Sequence, residues 1–376
     1  MEKIHFLKSG HPDSSKAYLS TLREILPKYR AKEDEDLSDK FERRVAESCG
    51  ALYASAFNST TIALKVFLSY ADIKSGHQVI CPSYMPIQYI NAILDVGATP
   101  VFVDLCPSNY EMDFHSIISK ISDKTRAILL AYPYGIPCNP KEYYELCKDY
   151  SIQLIELVLG GLGSKYQGKQ LGTFGHIGII EFHPKRSISF GDGGFLVSDN
   201  DDLASYARAW LLSKAVEGFD PQLPRKRISD FYASIGLWMI DRLGEAFFRQ
   251  LQITKRYDSF FRSVSDTHTP TSHLKGDWNH GFYPVIIEGE RRNRIADALG
   301  KNGIETHKGY QPAHSNTFIE ALIRPPRLPS TDLIAESTLL LPIYPSLTTA
   351  EQDYIIENLE WALSTYRGSY HRGAFI

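Results

Sequence analysis

The sequence predicts an α/β protein: a mostly parallel sheet covered by helices on both faces, followed by a smaller α+β unit. Two observations predict this. From residue 60 to residue 180, short apolar runs alternate with amphipathic helical stretches, the pattern of strands joined by crossover helices. After Asp220 that rhythm stops, because Pro221 and Pro224 interrupt it and a long helical segment follows.

The elements follow in order. The acidic run at residues 33–36 precedes Leu37, Phe41 and Val45, which recur at helical spacing, so a helix with a solvated charged face begins there. Residues 60–70 make a second amphipathic helix. Strands are predicted at 78–81, 100–104, 127–131, 153–157 and 177–180, with helices at 87–96, 114–121 and 141–150 between them. A single long helix is predicted from residue 230 to about 264. The last unit begins near Trp278, with an apolar run at 283–287, a helix at 291–299, the turn Asn302-Gly303 and a final helix at 350–366. The division expected is a large unit over 1–245 and a small one over 246–376.

Composition excludes several classes. The chain has 376 residues, a formal net charge of −3 and 43% hydrophobic residues. The near balance of charge gives no nucleic-acid or membrane surface. No apolar run is long enough to span a bilayer, and the N-terminus lacks a signal pattern. The five cysteines show no CxxC spacing, as expected of incidental thiols in a reducing compartment. A soluble cytoplasmic protein is expected. No His/Cys/Asp cluster has metal-ligand spacing, and no GxSxG elbow occurs.

Motif text goes further than periodicity. Phe57-Asn58-Ser59-Thr60-Thr61-Ile62-Ala63-Leu64, Gly97-Ala98-Thr99-Pro100-Val101-Phe102-Val103-Asp104, Tyr134-Gly135, the run 165–175, Gly191-Asp192-Gly193-Gly194 and Leu340-Leu341-Pro342-Ile343-Tyr344-Pro345 stand in order along the chain. Together they resemble the DegT-type sugar aminotransferases. The resemblance implies a PLP-transferase-like α/β fold of the aspartate aminotransferase type (fold type I). It also implies a homodimer whose pyridoxal phosphate (PLP) site lies at the C-terminal edge of the sheet.

The same resemblance places unusual residues in the pocket. Anchored on Phe182-His183-Pro184 and the Gly-Asp-Gly-Gly run, the lysine position holds Arg186. A guanidinium stays protonated and cannot form a Schiff base. The acid that pairs with the pyridine nitrogen is replaced by Leu157, and the polar residue after it by Gly160. Pro86 takes the place of the ring-stacking aromatic. Glu181 replaces the phosphate-binding serine, Thr60 the glycine of the phosphate turn, and Arg225 the asparagine contributed by the second subunit.

These replacements imply a retained fold with a converted pocket and no cofactor. The expected activity is a PLP-independent biosynthetic step on a sugar nucleotide or another small anionic intermediate. Glu181, His183 and Lys185 are the candidate acid/base residues. Asn58, Ser59, Thr60, Thr61, Tyr84, Arg186, Arg225, Tyr310 and His314 are the candidate substrate ligands. Glu181 and Arg225 are expected to meet across the dimer interface. One alternative is a non-catalytic homologue that binds a ligand or an active partner. Another is a PLP-dependent sugar aminotransferase that uses Lys185, one residue from the expected position.

Overall fold

Helix α1 (Leu37–Cys49) leads into β1 (Tyr53–Phe57), and strict alternation follows: α2 (Thr60–Tyr70), β2 (Gln78–Pro82), α3 (Ile87–Asp95), β3 (Thr99–Val103), α4 (Phe114–Lys120), β4 (Thr125–Tyr132), α5 (Pro140–Asp149) and β5 (Gln153–Val158). The short strands β6 (Lys165–Tyr166) and β7 (Lys169–Gln170) precede β8 (Ile177–Phe182) and β9 (Gly193–Ser198). Then come α6 (Asp201–Leu211), α7 (Asp230–Ile240), α8 (Leu243–Phe261), β10 (Gly276–Asp277), β11 (Tyr283–Ile286), α9 (Gly289–Lys301), α10 (Thr317–Ile323), α11 (Pro329–Ser337), β12 (Thr338–Leu341) and α12 (Thr349–Thr365). This computed structural model describes residues 3–5, 23, 36–182, 193–212, 227–270 and 276–366.

The main sheet has seven strands in the order β1-β9-β8-β5-β4-β2-β3. β8, β5, β4, β2 and β3 are mutually parallel, and β9 runs antiparallel to both β8 and β1. The five strands expected from apolar runs are all present. β1 and β9 were not marked in the sequence, because Tyr53-Ala54-Ser55-Ala56-Phe57 is rich in alanine and β9 opens on two glycines.

Side chains alternate between the two faces of each strand. Ile128, Leu130, Leu154 and Ile180 join one core with Phe41, Val45 and Ala233. Ala127, Leu129, Ile155, Leu157 and Ile179 join a second core with Ala63, Phe67, Tyr89 and Ile93. A third core gathers Ile253, Tyr257, Val285, Ile295, Leu339 and Ile355.

The single long helix expected from residue 230 is two helices. Arg242 leaves helical geometry at φ −110°, ψ 3°, and its guanidinium stacks 4.2 Å from the Trp238 ring. The break has a packing reason. Leu243 still belongs to the first core, whereas Ile253 and Tyr257 belong to the third.

One ion cluster fixes the entry to the sheet. Asp36 caps α1 by accepting from Ser38 N. Arg227 reaches back to Asp36 and Asp39 and lies 3.8 Å from Glu42. Glu42 is buried and accepts the Ala56 amide of β1 at 2.8 Å. Burial is the dominant influence on its carboxyl and pushes the pKa up to about 7, against an ordinary 4.5. Between those values the folded chain holds a proton that the unfolded chain has released. Stability therefore falls as pH rises through that window, by roughly 3 kcal/mol at most. Glu42→Gln should flatten this slope when denaturant midpoints are compared from pH 5 to pH 8; an unchanged slope would refute the assignment.

Candidate active site

β1 is antiparallel to β9, and β9 to β8, so β1 runs in the direction of the five parallel strands. Its end therefore sits at their C-terminal edge, where such sheets bind ligands. The N-terminus of α2 lies there too, two residues beyond β1. The first N–H groups of a helix have no acceptor within it, and its dipole favours an anion. Ser59 is the N-cap, and its side chain makes no capping bond. Two glycines allow the close approach. A Cβ on Gly194 would stand 2.2 Å from Thr60 Cγ2, and Gly193 has φ 132°, outside the comfortable range of other residues.

Glu181 of β8 pairs with Gly194. Its neighbours Ile180 and Phe182 face the first core while Ile179 faces the second, so Glu181 projects on the second-core side, the side of Leu157 and Tyr89. Thr60 Oγ1 lies 2.8 Å from the Tyr89 hydroxyl, which donates to Glu181 Oε1 at 3.2 Å. All three residues are buried. Since the Tyr89 proton goes to the carboxylate, Thr60 donates to Tyr89. This line of hydroxyls runs to Glu181 and leaves the Thr60 side chain no proton to offer an anion at the turn. Tyr89 was missed in the sequence. Its signal is a tyrosine on the buried face of α3, where a hydroxyl requires a partner.

Glu156, one residue before Leu157, faces the other way. It is fully buried. It accepts from the Tyr132 hydroxyl at 2.6 Å, Phe174 N and Gly175 N at 2.6 Å each, and Gly172 N at 3.0 Å. Burial raises its pKa, and the four donors pull it back. Leu157 is also fully buried and packs in the second core. Pro86 stands at the N-cap of α3.

A second group of candidate residues gathers in a tyrosine cluster. Tyr84 and Tyr110 stack at 5.8 Å, and Tyr134 and Tyr310 at 5.1 Å. The Tyr84 and Tyr134 hydroxyls are 2.7 Å apart. Next to Tyr84, Ser83 Oγ accepts the His314 amide at 2.9 Å and lies 2.7 Å from His314 Nδ1. His314 Nε2 lies 2.9 Å from Asp332 Oδ1. The Asp332 carboxylate accepts, so Nε2 carries the proton, and in the neutral ring Nδ1 then accepts from the Ser83 hydroxyl. Ser83 is fully buried, so this line is a clasp and not a nucleophile.

The structure thus joins Thr60 to Glu181 through Tyr89, places Asn58, Ser59 and Thr61 on the same turn, and joins Tyr84, Tyr310 and His314 in a separate cluster. His183, Lys185, Arg186 and Arg225 lie outside the described residues, and so does the expected meeting of Glu181 with Arg225. Among the described residues, no group of three or more His, Cys, Asp or Glu could hold a metal ion, and no helix is long and apolar enough to cross a membrane.

The sheet order, the α2 N-terminus over β9 and the small α+β unit define a PLP-transferase fold of the aspartate aminotransferase type. The chain belongs to the DegT/DnrJ/EryC1/StrS aminotransferase family, matched over residues 12–360. A GDP-perosamine synthase of Escherichia coli O157:H7 is 30% identical over 339 residues, covering 85% of this chain and 88% of its own length. Spr1654 of Streptococcus pneumoniae in its PLP form superposes with a TM-score of 0.87 at 23% identity, covering 97% of this chain and 100% of its own. NtdA of Bacillus subtilis with bound PMP gives a TM-score of 0.85 at 24% identity, covering 97% and 86%.

These findings overturn the expectation of a chain without PLP. The family is one of aminotransferases, and folds this similar are solved in PLP form and with PMP. The physical reason lies in the backbone. A helix N-terminus binds phosphate through N–H groups that survive any change of side chain, so the replacement at Thr60 does not remove the cradle. The described residues fit the phosphate end of the cofactor.

Glu156 sets a prediction. Glu156→Gln places an amide donor against four donors and should cost about 2–3 kcal/mol in urea unfolding. Tyr132→Phe, which removes one donor, should cost about 1 kcal/mol. Equal losses would show that the carboxylate is not the hub.

Proposed function

We propose that this chain is a PLP-dependent aminotransferase acting on a nucleotide-linked keto sugar, with Lys185 as the amine that holds the cofactor. The observation that carries the reading is the α2 N-terminus seated on Gly193 and Gly194 at the C-terminal edge of the sheet. Family membership supports the reaction, and the name of the E. coli relative supports a nucleotide-linked sugar.

When bound, PLP carries an amino group from a donor to the sugar ketone. In this reading the N–H groups of Thr60 and Thr61 hold its phosphate, with Asn58 and Ser59 closing the turn. Leu157 gives the ring an apolar wall and no partner for the pyridine nitrogen. The Glu181 carboxylate is tied to Thr60 through Tyr89 and so stands within electrostatic reach of a phosphate held at that turn. The proposal includes a two-fold dimer, with Arg225 of the neighbouring subunit at the site, and a division into units at residues 245 and 246.

Purified protein should be mixed with PLP, scanned for absorbance, reduced with borohydride and mapped by mass spectrometry. The expected result is an adduct on Lys185 that Lys185→Ala abolishes. Saturable PLP binding without that adduct overturns the role of Lys185, and no binding at all overturns the cofactor assignment. A second prediction concerns charge. Glu181→Gln removes the charge at constant shape and should change PLP affinity by about tenfold, or 1.4 kcal/mol; tighter binding would show the carboxylate opposing the phosphate, and unchanged affinity would refute a role for it there. Weaker binding in this variant would mean that Glu181 acts through a cation and not against the phosphate.

A further inference from the structure

Two hydrogen-bonded lines meet on α3. One is the Thr60–Tyr89–Glu181 line at the α2 turn. The other runs from Asp332 of α11 through His314 to Ser83. Ser83 follows the last residue of β2, and Tyr89 lies in the first turn of α3. The two lines are therefore joined by residues 84–88 alone.

What sets the start of α3 lies outside the helix. Its N-cap is Pro86, which offers no capping side chain. Within the turn, Met85 N donates to the Ser83 carbonyl at 3.1 Å and Tyr89 N to the Pro86 carbonyl at 3.2 Å, so the turn hangs on Ser83. Ser83 is gripped from the far side by residues 313–314. Its carbonyl accepts the Ala313 amide at 2.9 Å. Its Oγ accepts the His314 amide at 2.9 Å and donates to His314 Nδ1 at 2.7 Å. Asp332 takes the proton on Nε2 and so fixes the tautomer that lets Nδ1 accept. Ser83 is fully buried and the His314 side chain is 10% exposed.

Packing alone would leave α3 some freedom. Met85, Tyr89 and Ile90 share the second core with Ala313, Ile319 and Leu328, and such contacts are individually weak and not directional. The bonds on Ser83 supply the direction. The far end of the lever has little slack. The Tyr89 hydroxyl reaches Glu181 Oε1 at 3.2 Å, and a further displacement of about 0.5 Å would end that hydrogen bond. A small error in seating the first turn of α3 would therefore untie the Thr60 and Glu181 side chains from each other.

We propose that His314 is a positioning residue for the anion-binding turn. It acts through Ser83 and the first turn of α3 on the Tyr89 hydroxyl, and so on Thr60 and Glu181. A turn ordered in advance loses less entropy when an anion binds, so loosening it weakens affinity. This role rests on the reading that the α2 turn holds the cofactor phosphate. It needs no contact between His314 and a ligand, in place of the substrate-ligand role expected from the sequence.

The first readout needs no ligand. The full chain is labelled with carbon-13 at tyrosine Cζ, and the Tyr89 resonance is identified by its loss in Tyr89→Phe. His314→Ala and Ser83→Ala should both move it. Asp104→Asn should not, although Asp104 anchors α11 as well, accepting the Ser330 and Thr331 amides at 3.1 and 2.8 Å. The second readout is PLP affinity by calorimetry. Each alanine variant should lose about tenfold. His314→Asn, whose amide oxygen takes the place of Nδ1, should regain most of that loss. In a Tyr89→Phe background, His314→Ala should cause little further loss. A full further loss there means that His314 touches the ligand itself, and overturns the proposal. So does an unmoved Tyr89 resonance, or one that Asp104→Asn moves equally. If His314→Ala fails to fold by circular dichroism, Ser83→Ala removes the same bond from its other end and decides alone. Equal PLP binding by the unmodified chain and the alanine variants overturns this inference and leaves the cofactor reading standing. No PLP binding by the unmodified chain overturns both.

Discussion

A fully buried carboxylate must find donors or lose its charge, and the solution at Glu156 sets much of this molecule. Its four donors come from β4 and from residues 172–175, the segment that turns the chain into β8. No cation lies among these donors, so the interaction is directional and its geometry is demanding. It fixes how residues 172–175 approach β5, and hence the start of the register in which Glu156 faces Gly178 and Leu157 faces Ile179. Three residues further along β8, Glu181 comes to lie opposite Gly194. The candidate site on one face of the sheet is thus positioned by a polar knot on the other.

Much of the parallel sheet could be read from the sequence because buried strands are mostly apolar runs, as β2, β3, β4, β5 and β8 are. β1 and β9 could not be read this way, since alanine and glycine make little apolar signal and their strand character comes from pairing, β1 with β9 and β9 with both β1 and β8. The break at Arg242 was hidden because both helices are apolar at helical spacing across it. Only the change of core from Leu243 to Ile253 reveals why the axis must turn. In the site, the turn at Asn58–Thr61 was legible as motif text. Tyr89 was not, because its partners Thr60 and Glu181 are far from it in sequence. Glu156 carried a signal that went unused: a lone acid inside Leu154-Ile155-Glu156-Leu157-Val158 demands several donors.

The error about the cofactor has a general physical root. Side-chain replacements at Leu157, Glu181 and Arg186 were weighed as lost ligands, as if the site were built from side chains. In the proposed site the phosphate end rests on backbone N–H groups at the start of α2, and on the room that Gly193 and Gly194 leave for them. Sequence reports the first kind of ligand directly and the second only through the fold. A pocket can therefore look dismantled in the alphabet of side chains while its main-chain cradle stands.

The tyrosine cluster has a mechanical meaning as well. Gly309 sits where a Cβ would come within 2.4 Å of the Tyr84 hydroxyl and 2.6 Å of that of Tyr134. Tyr110 reaches Thr338 at the start of β12, at 3.0 Å, and the Tyr310 amide donates to the Tyr134 hydroxyl at 3.3 Å. The β11–β12 unit is therefore keyed to the sheet by paired hydroxyls, where an apolar seam would be smooth. Oily surfaces can slide by fractions of an ångström, because dispersion has no direction. A keyed seam has no such intermediate positions. A lateral shift would drive the Gly309 backbone into a phenol oxygen and break several hydrogen bonds at once. Any large movement of that unit must be a separation that leaves the seam whole on one side, pivoting elsewhere in the chain.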